Sequence, residues 1–120
     1  MGKEGFQGLK VWQKAKALTI FIYAVTNTPC FSKDRNLRDQ MRKAAVSIPS
    51  NIAEGDELGS DKQAIRFFHI ARGSTAELLT QAIIAQEVGI IDKTNCTEID
   101  VKCTEILKML SRLISARSIS

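Results

Sequence analysis

The chain has 120 residues, 44% of them apolar and 25% charged. That is enough for one compact domain with a real core, and too apolar for intrinsic disorder. Two prolines, seven glycines and seven aromatics exclude a collagenous or low-complexity chain and argue against an all-β barrel or sandwich. The net charge of +4 is uneven: residues 1–50 hold nine Lys/Arg against three Asp/Glu, and residues 51–120 hold eight against ten. A cationic first half invites a polyanionic partner. No apolar run approaches the ~20 residues of a membrane span. The opening Met1-Gly2-Lys3-Glu4-Gly5 lacks a signal-peptide core and a myristoylation pattern, so a cytoplasmic protein without membrane contact is expected.

Four helices and no strand are predicted. In the first, from about Leu9 to Asn27, Val11, Ala15, Leu18, Ile22 and Val25 recur at helical spacing. Trp12, Phe21 and Ala24 add apolar surface beyond the one face a surface helix needs, which predicts deep packing or a subunit contact. Thr28-Pro29 ends the helix, because a residue before proline is pushed out of the α region. The second helix runs from about Lys33 to Glu57, with Leu37, Met41, Ala44, Ala45, Ile48 and Ile52 as its stripe. Pro49 predicts a kink rather than a break, since the stripe resumes beyond it. Gly55 to Gly59 is read as the following turn.

Ser60 with Gln63 three residues on forms a capping box and opens a third helix of nearly thirty residues. Its seam is Phe68, Ala71, Thr75, Leu78, Ala82 and Ala85, widened by Phe67, Leu79, Ile83 and Ile84. Gly89 followed by apolar Ile90 ends it as a C-terminal glycine motif. The fourth helix is expected from Thr94 or Asn95, with Glu98 in its first turn. Ile99, Cys103, Ile106, Leu110 and Leu113 repeat at bundle spacing. The expected fold is an all-α, antiparallel up-down-up-down four-helix bundle in a single domain, residues 1–120, with 1–8 and 115–120 frayed.

Catalytic chemistry has no foothold. The single histidine, His69, lies off the seam with no nucleophile motif beside it. No Glu-x-x-His or zinc spacing occurs, so no metal or cofactor is expected. The glycine pairs Gly5/Gly8 and Gly55/Gly59 lack a P-loop ending. Cys30, Cys96 and Cys103 are odd in number and read as reduced thiols.

Two features remain. Arg35, Arg38 and Arg42 share one helical face with Lys33 and Lys43 nearby, and Lys10 and Lys14 are i, i+4 neighbours on the first helix. Lys10, Lys14, Arg35, Arg38, Arg42 and Lys43 are the six candidate nucleic-acid contacts, because guanidinium and ammonium groups bind phosphate; the competing reading is a solvated face partly neutralised by Asp34 and Asp39. Separately, Asn51, Glu54, Arg72 and Ser74 stand beside seam positions and are expected to form a paired structural polar cluster. Mid-helix Gly73 costs roughly 1 kcal/mol against Ala, which a close approach there would justify.

The run from Gln40 to Gly55, QMRKAAVSIPSNIAEG, together with Leu9–Ala15, Ile70–Leu78 and Ala85–Ile90, closely resembles the bacterial four-helix bundle proteins, the 23S rRNA intervening-sequence proteins. Ser32, Arg35-Asn36-Leu37 and the loop Leu58-Gly59-Ser60 depart from the family pattern, the last being less basic than usual. The resemblance implies a homo-oligomer, a ring-like pentamer, with no assigned catalytic residue. It also extends to the accessory variability determinants of diversity-generating retroelements, which implies RNA or DNA, and a reverse transcriptase or another protein, as partners. The expected function is non-enzymatic nucleic-acid or ribonucleoprotein binding through the oligomer's basic surface. The alternative is a protein-interaction scaffold with incidental charge; a small-molecule or catalytic bundle ranks third.

Overall fold

The computed structural model describes residues 5–118. A 3-10 turn over Gly5–Gly8 leads into α1 (Lys10–Thr26). A second, Pro29–Lys33, precedes α2 (Arg35–Glu57), which is followed by α3 (Asp61–Glu87) and α4 (Lys93–Ser118). Each helix packs on its sequence neighbour and α4 closes on α1. The result is an all-α four-helix bundle of 47 × 30 × 22 Å, with no strand among the described residues. No helix is long and apolar enough to cross a membrane among those residues.

The core is the set of stripes written in the sequence. Val11, Ala15, Leu18, Ile22 and Val25 of α1 face Met41, Ala44, Ala45, Ile48 and Ile52 of α2, the whole α3 seam from Phe68 to Ala85, and Ile99, Cys103, Ile106 and Leu110 of α4, all buried. Phe31, in the second 3-10 turn, is also fully buried and plugs the α1–α2 end of the bundle. Ile83 and Ile84, expected to widen the α3 seam, are instead exposed. They lie too far round the helix from Ala82 and Ala85 to reach the core.

Side-chain caps set the helix starts. Ser60 accepts from the Gln63 amide at 3.3 Å, as the capping box requires. Asp34 and Asp92 do the same for Leu37 (3.0 Å) and Asn95 (2.7 Å), which places the starts of α2 and α4 within two residues of the expected ones. At the far end of α3, Gly89 has φ +83°. The Ile90 amide donates to Ala85 O at 2.8 Å and the Gly89 amide to Gln86 O at 3.0 Å, the paired bonds of a glycine-terminated helix.

α2 runs unbroken through Pro49. Proline has no amide hydrogen, so the carbonyl four residues back, on Ala45, loses its helical partner. Thr19 of α1 supplies a replacement: its hydroxyl lies 2.9 Å from Ala45 O and 2.8 Å from Ala15 O, sharing one proton between the two helices. Gly55 is not a turn residue but a buried position inside α2. A Cβ there would stand 2.9 Å from Phe68 Cε1 and 3.1 Å from both Ala64 O and Phe67 Cβ, so glycine is what lets α2 and α3 approach. Gly73 behaves in the opposite way, with nothing within 4 Å of an added Cβ.

Both ends are more ordered than expected. Phe6 packs edge-on to Trp12 with ring centroids 5.2 Å apart, and Gln13 Nε2 donates to Gln7 O at 2.9 Å. α4 continues through Ser118, and Arg117 bridges Asp56 (3.1 Å) and Asp61 (3.4 Å), clasping the α2–α3 connection. Residues 1–4 and 119–120, the remainder of the expected frayed ends, lie outside the described residues.

Candidate nucleic-acid interface

The six candidate cations divide between two places. Lys10 and Lys14 open α1, whereas Arg42 packs against Thr26, where α1 ends. Sixteen residues at 1.5 Å each separate Lys10 from Thr26, about 24 Å along the helix. No single small ligand spans both groups, but an extended polyanion can.

The first group surrounds the start of α2. Arg35 and Lys43 are exposed, and among the described residues neither lies within ion-pair distance of a carboxylate. The same holds for exposed Lys33 in the preceding turn. Asp34 is committed to the Leu37 amide. Arg38 Nε donates to its neighbour Asp39 at 3.0 Å, which neutralises part of its charge. Arg42 is engaged within the fold: its Nε donates to Thr26 Oγ1 at 2.8 Å, that hydroxyl donates to Ile22 O at 2.7 Å, and the guanidinium lies 4.7 Å from the Tyr23 ring centroid. A cation at the C-terminal end of α1 also complements the helix dipole. Arg42 therefore joins α1 to α2, and Lys33, which the sequence placed beside this face without counting it among the six, stands with the exposed cations.

The second group borders a groove between α1 and α4, the thinnest of the neighbouring helix contacts. Lys10 and Arg112 flank a floor of Leu9, Val11, Met109 and Leu113. Lys14 and Lys108 continue the cationic rim toward Val101. Lys14 pairs with Glu105 at 3.1 Å; Lys10, Lys108 and Arg112 have no ion pair among the described residues. Lys108 and Arg112 were not legible as partners of Lys10, because only the α1–α4 closure brings them together.

The expected polar cluster forms in part. Asn51 Nδ2 donates to Ser47 Oγ at 2.9 Å and to Ser47 O at 2.8 Å, and Ser47 Oγ lies 2.8 Å from Ser74 Oγ. This short chain joins α2 to α3, and Ser47 is the member the sequence did not announce. Glu54 is exposed, and it forms no ion pair with Arg72 among the described residues. Arg72 Nε and Gln81 Oε1 are buried without a hydrogen-bond partner there.

His69 is exposed, and no group of three His, Cys, Asp or Glu side chains converges among the described residues. Burial and, secondarily, Asp100 push the Cys103 thiol up to about 12. Cys96 is raised first by burial, then by Asp100 and Glu87, and its Sγ lies 3.6 Å from Ala82 O. Both thiols act as small apolar fillers. Cys30 is exposed.

No match is found among curated proteins. Among solved structures, the chain is similar to a protein of unknown function from the S23 ribosomal protein family of Bacteroides thetaiotaomicron. The TM-score is 0.79 at 20% identity, over 87% of this chain and 97% of that one, which shows a shared fold. The family model described as 23S rRNA-intervening sequence protein matches residues 7–112. That match takes in all but the last turn and a half of α4 and the first residues of the amino-terminal turn; the chain belongs to the 23S rRNA-intervening sequence protein family.

Proposed function

We propose that the protein is a non-enzymatic, self-associating helical bundle that binds nucleic acid, structured RNA in particular, through the cationic edge at the start of α2. The observation that carries this reading is the trio Lys33, Arg35 and Lys43: three exposed cations spread from the turn before α2 to its third turn, none held by a carboxylate among the described residues. Each has its charge available for a phosphate oxygen, and arginine offers a bidentate fork. The family's description, which refers to 23S rRNA, supports RNA as the first polyanion to test. Self-association would place several copies of this edge on one assembly and multiply weak phosphate contacts by effective concentration.

The test is binding to structured RNA and to duplex DNA as salt rises. Charge-mediated binding weakens steeply with salt, because condensed counterions are released on association. The double variant Arg35→Glu/Lys43→Glu should lose most of the affinity while keeping its helical spectrum. Absence of binding to either polymer at low salt contradicts the proposal.

A protein-interaction scaffold is favoured by a different observation. Ile20, Ile84, Val88 and Val101 are 62%, 49%, 62% and 64% exposed, a load of large apolar side chains that a partner surface would cover. Capture of a partner that survives high salt and is lost on Ile84→Lys would support this second reading.

A further inference from the structure

The groove between α1 and α4 combines aliphatic carbon with unpaired positive charge. Its floor is Leu9, Val11, Met109 and Leu113, flanked by Lys10 and Arg112. Val11 is buried, and Leu9, Met109 and Leu113 are half-buried. The space over this floor is about 340 Å³, at the lower end of the volumes that small-molecule sites occupy. A surface that only gathers phosphate oxygens needs cations and hydrogen-bond donors, and no hydrocarbon floor between them.

The floor and the rim together narrow the occupant. None of the four floor side chains is aromatic, and none offers a hydrogen-bond donor or a strong acceptor. A nucleobase laid there would leave its ring edges unpaired and would find no π face to stack on. A saturated chain loses nothing on the same floor, and Met109, unbranched and polarisable, adapts its shape to one. The rim sets the sign of the head group. Lys10, Lys108 and Arg112 are exposed and in no ion pair among the described residues, and Lys14 already neutralises Glu105 at 3.1 Å. Asp100, the other carboxylate on the groove, lies at its Val101 end, about 18 Å along α4 from Arg112 at 1.5 Å per residue. The end that holds the apolar floor is therefore cationic.

The geometry points to the α1–α4 groove as a site for an unbranched aliphatic carboxylate of medium chain length. Its hydrocarbon lies on the floor of Leu9, Val11, Met109 and Leu113. Its head group is held by Arg112, whose guanidinium forks onto the two oxygens of a carboxylate, and by Lys10 as a point charge. Charge complementarity and apolarity select this occupant together. A neutral chain would leave the two cations without a counter-charge, and a short polar anion would leave the floor wet. The site is separate from the α2 edge, which begins about 24 Å away along α1. It does not rest on RNA binding there, and it gives Lys10 a ligand of its own.

The experiment is calorimetric titration of the whole chain with acetate, hexanoate, decanoate and decanol, each kept below the concentration at which it self-associates. Methyl NMR signals of Leu9, Val11, Met109 and Leu113 report the place of binding. Decanoate should saturate one site per chain and shift those signals. Affinity should rise by up to about fourfold for each CH₂ added between acetate and decanoate, the equivalent of about 0.8 kcal/mol per buried methylene. Decanol should bind at least tenfold more weakly than decanoate. The variant Lys10→Gln/Arg112→Gln, changed at two exposed positions, should keep its helical spectrum, lose at least tenfold in decanoate affinity and bind decanol as the parent does. Arg35→Glu/Lys43→Glu should bind decanoate like the parent whatever the outcome with RNA, so failure of this site and failure of the RNA reading are told apart. Absence of a saturable shift at the floor methyls overturns the site. So do equal affinities for acetate and decanoate, which would mean that charge alone is read. Equal decanoate affinity for the parent and the Lys10→Gln/Arg112→Gln variant overturns it too, since hydrocarbon alone would then be read. Co-sedimentation with anionic phospholipid vesicles, with no floor shift from decanoate, would give the groove to a membrane surface and overturn the proposal as well.

Discussion

Thr19, Gly55 and Gly73 show how single positions decide the helix contacts. The Ala45 carbonyl has no amide partner because Pro49 follows four residues later, and the Thr19 hydroxyl reaches it from α1 at 2.9 Å. Thr19→Val keeps the shape and removes the donor, so it should cost about 1 kcal/mol in chemical denaturation; an unchanged midpoint would mean that water serves the carbonyl equally well. Gly55→Ala pushes a methyl against Phe68 and the α3 backbone and should cost roughly 1–3 kcal/mol. Gly73→Ala, in open space, should stabilise by roughly 0.5–1 kcal/mol. Sequence alone suggested the reverse for this pair, a turn at Gly55 and a close approach at Gly73, because a glycine's neighbours across a helix interface carry no local signal. The cysteines give a chemical readout of the same kind. One thiol per native chain, that of Cys30, should react rapidly with a disulfide reagent, and three should react after denaturation. Cys103 has its thiol raised from 9.0 to about 12, so the unfolded form releases its proton first as pH rises. Its contribution to stability is whole below about pH 9 and is lost between there and about 12. Cys103→Val should flatten that part of the stability profile.

At the scale of elements, the helices were legible because each carries its own instructions. The 4,3,4,3 spacing in α4, the Ser60 cap and the Gly89 stop are local signals, and the structure uses all three. The aspartate caps at Asp34 and Asp92 moved two helix starts by one or two residues, since a capping side chain sets the first helical residue more sharply than hydrophobic spacing does. The excess apolar surface of α1 is partly used within the chain. Trp12 packs on Phe6, and Lys102 lies over Phe21 at 5.5 Å, leaving Ile20 as its most exposed large side chain. Arg42 belongs to this scale as well. It ties α1 to α2 through Thr26 and Tyr23, so Arg42→Ala should lower stability by about 1–2 kcal/mol. Its effect on RNA affinity should be smaller than that of Arg35→Glu. A variant as stable as the parent but defective in RNA binding would instead return Arg42 to the phosphate-contacting set.

For the whole molecule, the sequence disclosed the charge imbalance but not its arrangement. The six candidate cations of the first fifty residues divide between two separate places, one at each end of α1, because the chain turns back after α1 and brings the first turns of α2 to its end. The groove cations Lys108 and Arg112 come from the second, net-acidic part of the chain, and no reading of composition by halves could have joined them to Lys10. The edge at Lys33, Arg35 and Lys43 is the part of the candidate site that local sequence did locate, since those residues are close neighbours in the chain. The central claim, that this edge holds a polyanion by its charge, is tested most directly by the slope of log affinity for structured RNA against log salt. The account predicts a steep negative slope for the parent and, for Arg35→Glu/Lys43→Glu, weaker binding with a slope shallower by about two, near one for each phosphate contact removed. Equal slopes and equal affinities for parent and variant would contradict it.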